Sequence, residues 1–117
     1  RRADAPRSPT VPAYLKVGFW YDSAAFAGLS RERFTAAIRA EGVALSPGFR
    51  GLHRIHSRKR FRWVGEFAVA DAADEKLVVL HHPVLLGTGD DIDRVAAAIR
   101  KIQQFAPAIR DAERPVA

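Results

Sequence analysis

Ile92, Val95, Ala96, Ile99 and Ile102 recur at the three- and four-residue spacing that brings them to one side of a helix. A helix with one apolar side has to lay it on a second layer of structure. Two stretches offer that layer. Leu15, Val17, Phe19 and Tyr21 alternate with Lys16, Gly18 and Trp20, the period of a half-buried strand over residues 14–22. Leu77-Val78-Val79-Leu80 is an unbroken apolar run ending in His81 and His82, as expected of a buried strand that emerges at the histidines.

Between these strands the chain carries a helix with readable ends. Ser30 is placed to cap it, Leu29 to pack on Phe34 as a staple, and Gly42 to stop it in the left-handed conformation. Residues 43–46 read as a short second strand, and residues 67–76 as an Ala-rich helix with a weak apolar face. Thr88 and Asp91 make a capping-box-like start to the last helix, and Phe105 and Pro107 are expected to close it. The sum is an α/β or α+β chain: a small open sheet of about three strands with two or three helices on one face. The expected core is Leu15, Val17, Phe19, Phe34, Ile38, Val43, Leu45, Val78, Leu80, Ile92, Val95 and Ile99. Residues 1–12, Pro-rich and charged, read as a linker or lead-in, residues 13–107 as one domain, and residues 108–117 as a polar tail.

With 117 residues and 48% hydrophobic content the chain is long enough for one real core and is not a disordered polymer. No apolar run approaches the roughly 20 residues that span a bilayer. The absence of cysteine excludes disulfides, thiolate metal sites and cysteine nucleophiles, and no secretory leader is present in the sequence, which suggests a cytoplasmic protein. There is no methionine and the first residue is Arg1, so the sequence reads as a piece of a longer polypeptide.

Charge is concentrated in residues 49–63. This stretch holds six of the 19 Lys and Arg residues and none of the 13 acids, so the formal charge of +6 sits here. Basic residues from Arg50 to Arg62 interleaved with Phe49, Phe61 and Trp63 suit three roles. They could form a small nucleic-acid-binding module ending at Trp63, a loop that grips an anionic small molecule, or a solvated surface.

Other chemistry is thin. His53 and His56 lie three apart and His81 and His82 are adjacent, but the surrounding cations oppose a metal, and His81 is better placed as a hydrogen-bonded packing residue. Gly87-Thr88-Gly89-Asp90-Asp91 looks like a phosphate loop until its two acids are counted, and helix capping explains it better. No catalytic constellation is legible.

The order of elements, together with Glu41-Gly42-Val43, Leu52-His53, Leu77-Val78-Val79-Leu80-His81-His82-Pro83, Asp90-Asp91-Ile92-Asp93-Arg94-Val95 and Ile99-Arg100-Lys101-Ile102, resembles the C-terminal small domain of the DegT/DnrJ/StrS family. These are pyridoxal-phosphate-dependent aminotransferases that act mostly on nucleotide-linked keto-sugars. Phe49-Arg50-Gly51-Leu52-His53-Arg54 is most similar to the branch containing 3-amino-5-hydroxybenzoate synthase, and Gly48-Phe49-Arg50-Gly51 departs from the sugar-modifying members' usual loop. The resemblance implies a fold-type-I homodimer whose missing N-terminal large domain carries the cofactor lysine. On this chain it implies no catalytic residue, no cofactor anchor and no activity in isolation. Phe49, Arg50 and His53 are implied to face an anionic small-molecule substrate, with Arg54 and the cations at 58–62 turned to the large domain or to solvent.

Overall fold

In the computed structural model the described residues are 11 and 15–112. The lead-in at residues 1–10 and 12, the strand start at Tyr14 and the last five residues of the expected tail lie outside them. Strand β1 (Lys16–Trp20) is followed by a 3-10 turn (Ser23–Phe26), helix α1 (Arg31–Ala40) and strand β2 (Leu45–Pro47). A short helix α2 (Leu52–Ile55) and a second 3-10 turn (Arg58–Arg60) lead to α3 (Ala68–Lys76), β3 (Leu77–His81), α4 (His82–Leu85) and α5 (Gly89–Ala112).

The three strands form one open antiparallel sheet in the order β1-β3-β2, a mixed α/β architecture with several helices, as the sequence led one to expect. The last strand in the chain is the central one, which explains its unbroken apolar run: Val78, Val79 and Leu80 are all buried. Register places Val17 and Leu45 beside Leu80, and Phe19 and Pro47 beside Val78, on one face. The small residues Gly18 and Ser46 flank Val79 on the other. On that second face His81 Nε2 lies 3.0 Å from Ser46 Oγ, the hydrogen-bonded role expected for this histidine.

The core joins Leu29, Phe34 and Ile38 of the first half to Leu45, Val78 and Leu80 of the sheet and to Ala98, Ile102 and Ala106 of α5. Ser30 caps α1 by accepting from the Arg33 amide at 3.3 Å, and Gly42 ends it with φ 88°. Tyr21 sits at the hinge of the layers. Its hydroxyl donates to the Leu29 carbonyl at 2.6 Å and its ring stacks on Phe34 with centroids 4.5 Å apart. Burial pushes the Tyr21 phenol up to about 12, with the nearby Asp22 charge adding to the effect.

Three expectations need correction. Leu15 and Phe19 are 68% and 48% exposed, because β1 is an edge strand and α5 lays its apolar side on α1 and the Ser23–Phe26 turn rather than across β1. The contact side of α5 is centred further along than the isoleucine stripe suggests. Ala98, Ile102 and Ala106 are buried, Val95 and Ile99 lie at its margin, and Ile92 is exposed. Small alanines at the closest approach let the helix come near α1.

The third correction concerns the end of α5. The helix passes through Pro107 and runs to Ala112, so residues 108–112 belong to α5 and not to a tail that follows it. Its last turn is fastened from outside: the Arg33 guanidinium donates to the carbonyls of Ile109 and Arg110, and Arg110 donates to the Ala27 carbonyl at 2.6 Å. Carbonyls that no helical amide can reach are thus satisfied by side chains. Pro107 lies on the exposed side of the helix, away from the core.

Candidate functional site

Helix α3 carries Asp71, Asp74 and Glu75 at the spacing that puts three acids on one side. That side faces the basic segment, which accounts for a helix whose apolar face is weak. Oδ2 of the buried Asp74 accepts from the Gly51 amide at 2.6 Å, and its Oδ1 accepts from Arg54 at 3.3 Å. Arg54 also reaches Asp71 at 3.1 Å and Glu75 at 3.2 Å, so one guanidinium spans all three acids. His53 Nε2 lies 2.5 Å from Asp71 Oδ1. Arg31 of α1 donates to the carbonyls of Asp74 and Leu77, fixing the α3–β3 junction beneath the site.

The carboxyls titrate accordingly. The His53 hydrogen bond, with the Arg54 charge, holds Asp71 below the usual carboxylate range. Asp74 is lowered first by the Gly51 amide and then by the charges of Arg54, Arg50 and Arg31. Arg54 is raised, chiefly by its hydrogen bond to Glu75.

Gly51 is required here by space rather than by backbone angle. A Cβ at this position would stand 2.6 Å from Cε1 and 2.9 Å from Nδ1 of His53, so only glycine lets the imidazole fold beneath the chain. The ring then joins an aromatic cluster, 4.9 Å from Phe67 and 5.8 Å from Trp63. Trp63 packs on Phe67 at 4.8 Å and Phe61 at 5.7 Å, and the Arg58 guanidinium covers it at 4.8 Å.

Beside the cluster opens a groove of about 600 Å³. Leu52, Phe61, Phe67 and Ala70 give it apolar walls, and His53, His56, Arg60 and Arg62 supply nitrogen. Arg58, Lys59, Arg60 and Arg62 are exposed, and among the described residues no acid pairs with them. The segment is therefore divided: Arg54 is neutralised by α3, whereas the cations at 58–62 keep their charge.

The three residues singled out from sequence find different partners. Phe49 is 74% exposed, with Lys16 Nζ 4.6 Å above its ring. Arg50 is exposed. His53 is the part-buried strut just described. Sequence reasoning missed the acids of α3, although their spacing opposite a run of cations was a usable signal, and it missed Lys16 as the cover of Phe49. The expected loop holds two short helical turns, of which the first is fastened to α3 through His53 and Arg54 and the second stays exposed.

Among the described residues no group of three or more His, Asp or Glu side chains converges to hold a metal ion, and no helix is long and apolar enough to cross a membrane. Compared with models of known protein families, with curated proteins and with solved structures, the chain matches none.

Proposed function

We propose that this chain is the small domain of a pyridoxal-phosphate-dependent aminotransferase acting on a keto-sugar or related cyclic keto substrate, supplying residues to the substrate channel and the dimer interface. The observation that carries this reading is how residues 49 and 50 are presented. They leave β2 directly, Phe49 and Arg50 are exposed, and His53 and Gly51 tie the chain down immediately afterwards. A short exposed stretch between a strand and a clasp is a way to hold binding side chains on a rigid base. Phe49 and Arg50 then meet the substrate, Arg50 as the partner of a negative group, and His53 sets their position.

In this reading the chain itself anchors no cofactor. Of its lysines, Lys101 is paired with Glu41 at 2.9 Å, Lys16 covers Phe49, and Lys59 and Lys76 are exposed, so none stands in an enclosed pocket. A cofactor-bearing lysine belongs, in this reading, to the large domain, and the residues of this chain carry no chemical step.

The test is to express the full reading frame containing this segment, record its visible spectrum, reduce it with borohydride and map the labelled lysine. The expected result is a cofactor band in the parent, one labelled lysine outside these 117 residues, and neither band nor turnover from this chain alone. A parent without the band, or turnover by this chain alone, overturns the reading.

A further inference from the structure

We propose that the groove between α3 and residues 52–62 is a binding site for a small planar anion, for which an aryl phosphate is the simplest representative. The inference does not rest on the aminotransferase reading and concerns residues that reading leaves without a task. Two independent features of the groove point the same way.

Its size and walls suit a ring. A volume of about 600 Å³ falls within the range of sites that enclose small molecules. Phe61 and Phe67 are partly buried and offer apolar ring surface to a flat ligand, and Ala70 and the solvent-exposed Leu52 complete the apolar lining. The walls are fixed from behind, since Phe67 packs on His53 and Trp63, and His53 is held by Asp71.

Its charge suits an anion. Arg54 is taken up by the acids of α3 and the groove-lining His53 is held by Asp71, whereas Arg60 and Arg62 line the groove with no acid paired to them among the described residues. Two guanidiniums over an apolar wall present forked donors to a phosphate or carboxylate whose ring lies on the phenylalanines. A nucleic-acid strand fits less well. Phe61, Trp63, Phe67 and His53 pack on one another, and Arg58 covers Trp63, so they do not form a row of separate platforms for successive bases.

The test uses the 117-residue chain carrying Trp20→Phe, which leaves Trp63 as its only tryptophan and places the reporter against Phe61 and Phe67. Phenyl phosphate is titrated against Trp63 emission, with inorganic phosphate, benzyl alcohol and a ten-residue oligothymidylate as parallel probes. The expected result is saturable binding of phenyl phosphate, weaker by about tenfold or more for inorganic phosphate and for benzyl alcohol, and weaker by a similar factor in an Arg60→Gln, Arg62→Gln double variant whose far-ultraviolet circular dichroism is unchanged. The probe comparison on the Trp20→Phe chain stands whether or not the double variant folds. Equal affinity for phosphate and phenyl phosphate, no saturable binding, or undiminished binding in a folded double variant overturns the proposal. So does oligothymidylate binding that far exceeds phenyl phosphate and collapses with added salt, which would mark a strand-binding surface.

Discussion

The amide of Gly51 donates to Oδ2 of Asp74 at 2.6 Å, joining the entrance of the basic segment to a helix that begins seventeen residues later in the chain. Beside this bond Arg54 is taken up by the acids of α3, while the later cations keep their freedom.

Gly51→Ala tests whether the clasp depends on space. The backbone at Gly51, with φ −59°, accepts alanine without strain, so any effect comes from the Cβ that would press on the His53 ring. Stability is expected to fall by about 1 kcal/mol, the low end of overpacking costs. Contacts between the His53 and Phe67 ring protons should disappear from the nuclear Overhauser spectrum. Unchanged ring contacts would show that His53 does not need the glycine.

Acid should loosen the same clasp. Asp71 and Asp74 both titrate below the ordinary carboxylate value in the folded chain, so the stability they add is fully present above the unfolded value of roughly 4 and is lost as pH falls through the folded values. Urea denaturation followed from neutral pH into this acid range should show a decline that is smaller in an Asp71→Asn, Asp74→Asn double variant. An identical decline would assign acid sensitivity to other carboxyls.

Alkali should act through Tyr21. Its phenol holds its proton up to about 12 in the folded chain against 10.0 when free, so its contribution is complete below pH 10 and is lost between 10 and 12. Tyr21→Phe removes that alkaline loss. It also leaves the Leu29 carbonyl without its donor, which is expected to cost about 1–3 kcal/mol at neutral pH. A neutral-pH stability equal to the parent would show that water replaces the hydroxyl.

Pro107→Ala should stabilise the chain. The helix already continues to Ala112, so an alanine with its amide restored fits the existing backbone, for a gain of up to about 3 kcal/mol in chemical denaturation. Arg33→Ala should have the opposite effect, raising amide exchange in the last turn, whose carbonyls Arg33 holds. A loss of stability in Pro107→Ala would mean that the turn needs the proline's rigidity more than the missing bond.

Local chemistry was legible residue by residue. The Ser30 cap, the Gly42 stop and the capping of α5, where Asp91 accepts from the Thr88 amide at 2.9 Å, are built by neighbours within a few positions, so their signals survive in the linear sequence. The apolar run at residues 77–80 announced a buried strand for the same reason, because burial of one short strand is written in its own residues.

Nothing local said that β3 would be the centre of the sheet and β1 an edge, and that choice left Leu15 and Phe19 in solvent while it buried Tyr21. Pro107 marks a helix end by every local rule, yet Arg33, 74 positions earlier, carries the helix past it. The basic segment divides in the same way. Its cations are equivalent in the sequence, and the packing of α3 decided which would be neutralised and which would line a groove. The sequence by itself determined the elements, their caps and the sum of the charge, since propensity and capping act over a few residues. Tertiary structure alone decided burial, helix length and the placement of free charge, because each depends on atoms brought together from distant parts of the chain.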